Sequence, residues 1–148
     1  MKILIVEDDH FHKQVIEEKF RGHLGPDTKI CWVRYEKEFV QRFNEIAEMH
    51  YDLAILDQMM PWTDEDDEEY DADAPKDGPL RAGTRCWERL KANESTKDRP
   101  AIFFTNLEKR TVPDGAPYVR KKDDEEMTQL LQEADRRLSE YAAKIRRP

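Results

Sequence analysis

Five short apolar segments, rich in β-branched and aromatic residues, are spaced along the chain. They are residues 2–6 (KILIV), 29–33 (KICWV), 52–56 (DLAIL), 101–104 (AIFF) and 117–119 (PYV). Continuous apolar runs of this length are typical of strands that are buried on both faces of a sheet. The pattern therefore predicts five buried strands.

The segments between the first four strands repeat their apolar residues at helical spacing. The repeats are Phe11, Val15, Ile16 and Phe20, then Phe39, Val40, Phe43, Ile46 and Ala47, then Leu80, Trp87 and Leu90. Gly22, Gly25 and Pro26 are expected to stop the first helix. Alternating strands and helices predict an α/β fold, with a parallel sheet between two layers of helices.

The last two connections differ from this rhythm. The link between the fourth and fifth strands is short and contains Pro113, Asp114 and Gly115, so at most one helical turn is expected there. The segment 123–146 places apolar residues on one stripe, with acidic residues at its start and arginines near its end. Both features favour a long C-terminal helix over 123–146.

Length and charge limit the possible classes of protein. The 148 residues suit one domain, 1–148, and no apolar run approaches the roughly 18 residues of a membrane span. Cys31 and Cys86 lack metal-ligand spacing and are interpreted as reduced packing residues of a cytoplasmic protein. Residues 64–77 hold nine acids and one base, which equals the whole net charge of −8. This acidic balance, without a glycine-rich phosphate loop, disfavours nucleic-acid and nucleotide binding.

Polar residues with chemical potential follow the strands directly. The residues concerned are Glu7, Asp8 and Asp9 after the first strand, Asp57 after the third, Thr105 after the fourth, and Arg120, Lys121 and Lys122 after the fifth. In open parallel sheets, ligands bind beyond the carboxyl ends of the strands, so these side chains are expected to meet. Clustered carboxylates are costly unless a cation binds among them, and an oxygen-only shell suits Mg²⁺ with a phosphoryl group.

Four motifs in this order resemble the receiver domain of two-component response regulators. They are "ILIVEDD", "AILDQMMP", "IFFTN" and "YVRKK", and the resemblance covers nearly the whole chain. It implies a flavodoxin-like, doubly wound five-stranded parallel sheet in the order 2-1-3-4-5. It also implies a phosphorelay protein that accepts a phosphoryl group from a sensor histidine kinase or a histidine phosphotransfer protein. Such a protein is not an enzyme acting on small molecules.

The resemblance also assigns a role to each site residue. Asp57 matches the phosphoacceptor, Glu7 and Asp8 the acidic pair that binds Mg²⁺, and the backbone carbonyl of Met59 a further metal ligand. Thr105 matches the switch hydroxyl, Lys121 the site lysine and Tyr118 the switch aromatic residue. Met59 and Leu107 occupy positions that tune dephosphorylation in the family. Because both are apolar and cannot orient a water molecule, a long-lived acyl phosphate is expected.

Three departures from the family pattern qualify these assignments. Gly83, which matches a glycine that usually stands about four residues after Pro61, lies 22 positions after it, so residues 62–79 are interpreted as an acidic insertion loop. Thr105 and Lys121 are only 16 positions apart, so the fourth helix of the family is expected to be missing or reduced. Lys122 replaces a proline, so the usual cis peptide is not expected.

Several functional alternatives stay open at this stage. The leading hypothesis is a stand-alone receiver that signals through contacts with an unknown downstream protein, since no output domain follows. A pseudo-receiver would act as a docking module without phosphorylation, and a metal-dependent phosphohydrolase would need an acid where Met59 stands. The long last helix is expected to cover the area of the lost helix or to form a homodimer contact.

The acidic insertion has interpretations of its own. It is a solvated spacer, a calcium loop, or a segment that screens the site or docks a basic partner. Asp71, Asp73 and Asp77 lack the glycine and terminal glutamate of an EF-hand, which disfavours calcium binding.

Overall fold

A computed structural model describes residues 1–64, 71–121 and 125–146. Its strands are β1 (Lys2–Val6), β2 (Lys29–Val33), β3 (Leu53–Leu56), β4 (Ala101–Thr105) and β5 (Tyr118–Arg120). All neighbouring strands pair in parallel, in the order β2-β1-β3-β4-β5. This architecture confirms the predicted α/β fold and its strand order.

The helices are α1 (His10–Leu24), α2 (Glu36–Gln41), α3 (Phe43–Glu48), α4 (Ala82–Ala92) and α5 (Glu126–Ile145). The long C-terminal helix is confirmed over 126–145, whereas residues 123 and 124 of its predicted start lie outside the described residues. The predicted stop of the first helix in the segment with Gly22, Gly25 and Pro26 is confirmed, because α1 passes Gly22, continues to Leu24 and ends at Gly25. Gly25 takes a positive φ of 105° and donates its N–H to the carbonyl of Arg21.

The second predicted helix is divided into two short helices at Arg42. The guanidinium of Arg42 contacts Glu38 and Glu45 and also donates to the carbonyl of Trp32 at 3.1 Å. The Arg42 side chain therefore contacts α2, α3 and the end of β2, and these contacts fix the position of the break between the two helices.

The sheet separates two apolar layers, as the alternation of side chains along each strand requires. On one face, Leu4, Val6 and Leu56 pack with α2, α3 and α4. On the other face, Ile3, Ile5 and Ile55 pack with α1 and α5. The core is therefore closed on both sides, and the carboxyl ends of the strands are left at one edge.

The connection between β4 and β5 contains a single 3-10 turn, Lys109–Thr111. This confirms the prediction of at most one helical turn there, in place of the helix of the family pattern. Val112 and Ala116 are buried in the layer that also contains α4. We call residues 106–117 the short connection.

The helix α5 lies on the opposite face of the sheet from this replaced helix. It packs there through Met127, Leu130 and Ala134. Its last turns reach further, since the Lys144 ammonium lies 2.5 Å from a carboxylate oxygen of Asp98 and Tyr141 lines a cavity of about 360 Å³. Among the described residues, no helix combines the length and the apolar character needed to span a membrane.

Candidate functional site

The site begins where β1 and β3 end side by side. The backbone N–H of Glu7 donates to Val33 at 3.0 Å and that of Asp57 donates to Val6 at 2.8 Å, so the strand ladder continues into the site. This pairing brings the carboxylates of Glu7, Asp8 and Asp57 together. One oxygen from each lies within 4.8 Å of the others. Glu7 and Asp57 are buried, and Asp8 is half-buried.

Lys121 enters this cluster from the end of β5. Its ammonium nitrogen lies 2.7 Å from Oδ2 of Asp57 and also contacts Oε2 of Glu7. The backbone N–H of Lys121 donates to the carbonyl of Thr105 at 3.0 Å, which places the lysine beside β4. With only 4% of its surface exposed, Lys121 provides a buried positive charge between two carboxylates.

The electrostatics of the cluster follow from its burial. The pKa of Glu7 is raised from 4.5 to about 7, chiefly by desolvation and also by the charge of Asp57, although Lys121 opposes the change. Burial by itself would lower the pKa of Lys121, but the carboxylates of Asp57 and Glu7 outweigh it, and the pKa is raised. The pKa of Asp8 is also raised, chiefly by desolvation. The site therefore gathers more negative charge than its burial readily accommodates.

The chemistry of the donors fits a hard divalent cation. Three carboxylates offer oxygen ligands within reach of one another, and one of them is half-exposed to solvent. Met59 follows in the same loop, where its N–H donates to Oδ1 of Asp57 at 3.2 Å. A role for the Met59 carbonyl as a ligand stays a prediction.

The structure separates the two aspartates that follow Glu7. Oδ1 of Asp9 accepts from the N–H groups of Phe11 and His12, at 2.7 and 3.3 Å. Asp9 is thus the N-cap of α1, whereas Asp8 belongs to the carboxylate cluster.

Thr105 and Tyr118 are connected through one residue of the short connection. The N–H of Leu107 donates to the Thr105 hydroxyl at 3.4 Å, and the Tyr118 hydroxyl donates to the Leu107 carbonyl at 2.7 Å. Thr105 is buried at the carboxyl end of β4, and Tyr118 is half-buried. Their switch roles stay predictions, but the structure gives them a shared partner.

The beginning of α4 packs directly on the loop that carries Asp57. A Cβ atom added to Gly83 would lie 2.1 Å from the Asp57 carbonyl oxygen, so no side chain fits there. The N–H of Gly83 donates to the carbonyl of Gln58 at 3.1 Å. This close approach supports the match of Gly83 to the family glycine, despite the long insertion before it.

The described ends of the insertion are attached to α2 and α4. Asp71 accepts from the Trp62 indole at 2.8 Å and pairs with Lys37 at 2.9 Å, and these hydrogen bonds lower its pKa to about 2. Arg85 contacts Glu36 and Asp77, each at 2.6 Å. Residues 71–78 therefore do not behave as the free spacer that was one sequence-based interpretation. Residues 65–70, and with them Glu65 to Glu69, lie outside the described residues, as does Lys122.

Three residues of this region carry no assignment from sequence: Gln58, Thr84 and Glu36. Gln58 and Thr84 exchange hydrogen bonds in the interior, and Glu36 forms a largely buried ion pair with Arg85. The sequence signal that could have drawn attention to Gln58 is a polar residue in the loop after a strand, directly before two methionines. Its partners lie far along the chain and could not be identified from that signal.

Known structures resemble the chain closely in fold and weakly in sequence. No protein-family model and no curated protein matches it. A CheY-like response regulator receiver domain from Methanospirillum hungatei JF-1 is 18% identical, with 97% of each chain covered and a TM-score of 0.63. The signal receiver domain of a LuxO repressor protein from Vibrio parahaemolyticus is 15% identical, with 97% of this chain and 93% of that chain covered and a TM-score of 0.66.

A third neighbour agrees with these two. It is the N-terminal domain of a response regulator/sensory box/GGDEF protein from Carboxydothermus hydrogenoformans. It is 19% identical, with 98% of this chain and 99% of that chain covered and a TM-score of 0.65. Together with the five-stranded sheet in the order 2-1-3-4-5, these likenesses show that the chain has the flavodoxin-like fold of response-regulator receiver domains.

Proposed function

We propose that this protein is a response-regulator receiver that accepts a phosphoryl group on Asp57. The observation that carries the proposal is the convergence of Glu7, Asp8, Asp57 and Lys121 at the carboxyl edge of the sheet. A buried carboxylate nucleophile beside a fixed ammonium and further oxygen donors is suited to phosphoryl transfer, which depends on positioning and charge stabilisation.

The reaction is a displacement at phosphorus. A carboxylate oxygen of Asp57 forms the new P–O bond while the P–N bond of a phosphohistidine breaks, and the electron pair returns to the imidazole of the donor. Lys121 already contacts Oδ2 of Asp57 and would stabilise negative charge on the phosphoryl oxygens. Glu7, Asp8, Asp57 and the Met59 carbonyl would hold Mg²⁺, which supplies further charge neutralisation when bound.

The signal would leave the site through the short connection. After phosphorylation, the Thr105 hydroxyl turns to the new phosphoryl oxygen and gives up its contact with the N–H of Leu107. Tyr118, which holds the carbonyl of the same residue, then repacks. A local change of charge thereby becomes a new surface for a downstream protein. The phosphodonor partner in this proposal is a sensor histidine kinase or a histidine phosphotransfer protein.

A second candidate is a docking module that works without phosphorylation. Lys121 pairs with both Glu7 and Asp57, so part of the negative charge is neutralised without any cation. The altered connection after β4 also changes the surface on which a receiver would respond. This arrangement is compatible with a site that keeps its residues for stability alone.

Incubation with a small-molecule phosphodonor and Mg²⁺ distinguishes the two candidates. Intact-protein mass spectrometry should show the addition of one phosphoryl group to the wild type and none to Asp57→Ala or without a divalent cation. Asp9→Asn is the matched control, because asparagine also caps helices and Asp9 faces α1 rather than the cluster. The proposal fails if the wild type gains no mass, or if Asp57→Ala gains as much.

A further inference from the structure

The side chain of Gln58, directly after the proposed phosphoacceptor, is completely buried. A primary amide offers two donors and two acceptor sites, so burial is costly unless these groups are paired. The contacts of Gln58 explain its position.

The Gln58 amide joins two segments that are distant in sequence. Its nitrogen lies 2.8 Å from the hydroxyl oxygen of Thr84 at the start of α4, and that hydroxyl lies 3.1 Å from the amide oxygen. The same nitrogen donates to the carbonyl of Thr111, the last residue of the 3-10 turn. Thr84 is itself 4% exposed, so the two bonds between Gln58 and Thr84 form in the interior, whereas the bond to Thr111 is partly buried. Gln58 therefore connects the Asp57 loop both to α4 and to the short connection.

The backbone on either side of this side chain is tightly held. The Gln58 carbonyl accepts from Gly83 at 3.1 Å, and the Asp57 N–H donates to Val6 at 2.8 Å. The Met59 N–H donates to the Asp57 carboxylate itself, at 3.2 Å. With so many bonds around it, the loop can shift only as a unit when the Asp57 carboxylate changes its partners.

The short connection is thus held at two places by residues that also contact the site. Leu107 is held by Thr105 and Tyr118, and Thr111 is held by Gln58. The first hold corresponds to the proposed switch pair. The second contact is independent of this pair, because it is made by Gln58, the residue next to Asp57.

We propose that Gln58 is a positioning residue that couples the state of Asp57 to the 3-10 turn Lys109–Thr111. The coupling rests on the proposed function, since phosphorylation of Asp57 is the event that it transmits. A phosphoryl group competes for the Met59 N–H and shifts the 57–59 loop, which draws the Gln58 amide away from the Thr111 carbonyl. The short connection then loses the hydrogen bond from Gln58 to Thr111 when Thr105 also releases Leu107.

Backbone amide hydrogen exchange of residues 106–113 tests the coupling, with and without phosphodonor and Mg²⁺. In the wild type, phosphorylation should raise exchange in this segment about fivefold, the effect of losing one partly buried hydrogen bond. Gln58→Met keeps the volume but not the donors. In this variant, the amides of residues 106–113 should exchange rapidly before phosphorylation, and their exchange should change little afterwards. The variant should still gain the phosphoryl mass.

Thr84 supplies the matched pair of variants that separates coupling from general destabilisation. Thr84→Val removes the hydroxyl and should weaken the phosphorylation-dependent change, whereas Thr84→Ser keeps the hydroxyl and should restore it. A merely structural role would alter exchange equally in both states of each variant. Thr84→Val also carries the test if Gln58→Met fails to fold.

The outcomes separate the two proposals. If the wild type gains no phosphoryl mass, the proposed function fails and the coupling falls with it. If the mass is gained and Gln58→Met shows the same phosphorylation-dependent exchange as the wild type, the coupling alone is overturned.

Discussion

The loop after β3 and the connection after β4 border the same site, but they depart from the receiver sequence pattern in opposite directions. The first is lengthened by an acidic insertion, and its described ends are attached to α2 and α4 through Asp71 and Arg85. The second has lost a helix and keeps one turn, with Val112 and Ala116 placed in the core. The loop after β3 thus makes additional charged contacts at the surface, whereas the connection after β4 supplies apolar residues to the core.

The difference shows which change a parallel α/β domain accommodates more easily. A longer loop costs little, because the entropy of closing a loop grows slowly with its length. The insertion also leaves the packing of Gly83 on the Asp57 carbonyl in place. Removing a helix uncovers apolar surface of the sheet, so residues of the remaining connection must cover it. The insertion is therefore accommodated without a change in the core, whereas the missing helix requires other residues to cover the sheet.

The largest expected effect concerns the contact that the insertion leaves intact. Gly83→Ala places a methyl group against the Asp57 carbonyl and should lower the free energy of unfolding by about 3 kcal/mol, measured by urea denaturation. Gly22→Ala is the matched control, because Gly22 lies within α1 with nothing within 4 Å of its added Cβ. That variant should gain about 0.5–1 kcal/mol. Equal effects would mean that α4 does not need its close approach to the loop.

The attachment of the insertion should come next in size. Arg85→Met leaves Glu36 buried without its partner and should cost about 2–3 kcal/mol. It should also speed proteolysis within 71–78, measured on the native protein. Arg81→Met is the control, since Arg81 is exposed and lies 4.0 Å from Asp77. An unchanged stability and cleavage rate in Arg85→Met would show that the insertion is not fastened through this arginine.

The site between the two loops should have a pH response that does not depend on the acidic insertion. The folded protein holds the Glu7 proton more tightly than the unfolded chain, because its pKa is raised from 4.5 to about 7. The stability due to this proton is complete below 4.5 and is lost as the pH rises to about 7. Without divalent cations, the free energy of unfolding should fall by roughly 2 kcal/mol more across this window than in Glu7→Gln.

Shortening the insertion provides the control for this pH response. Deleting residues 64–77 should leave the difference between wild type and Glu7→Gln unchanged, because the carboxylate cluster is built from the strand ends. A flattened profile in the deletion variant would show that the acidic tract contributes to the charge of the site. Adding Mg²⁺ should reduce the pH dependence, since a bound cation favours the ionised carboxylates.

The smallest effect is expected at the end of α5. Truncation after Leu138 removes Tyr141 from the cavity beside Trp87 and should cost about 1 kcal/mol, since α5 keeps its main packing through Leu130 and Ala134. Lys144→Ala removes only an exposed ion pair and should leave the denaturation midpoint unchanged. Sedimentation velocity of the truncated chain tests the dimer contact, because dissociation on truncation would assign these turns to a homodimer interface.

Local pattern alone was enough for most of the secondary structure and for the location of the site. Runs of buried apolar residues identified all five strands, and the polar residues that follow them include Glu7, Asp8, Asp57 and Lys121, which lie together in the structure. The resemblance to receiver domains was needed to select these four from the other polar residues at the strand ends. The site could be located in this way because the carboxyl ends of parallel strands lie at one edge of the sheet, independent of the side chains along the strands. The lost helix was also visible, since Pro113 and Gly115 leave too few residues for one.

What the sequence could not specify depends on contacts between distant residues. Asp8 and Asp9 are identical in type, and only the direction of α1 makes one a cap and the other a member of the cluster. Gln58 reaches partners 26 and 53 positions away, which no local period encodes. Hydrophobic period determined which types of element form and their order along the chain, but not the division of the second helix at Arg42. The tertiary packing alone decided which polar groups meet, because buried polar groups must be paired and their partners are chosen by the approach of whole elements.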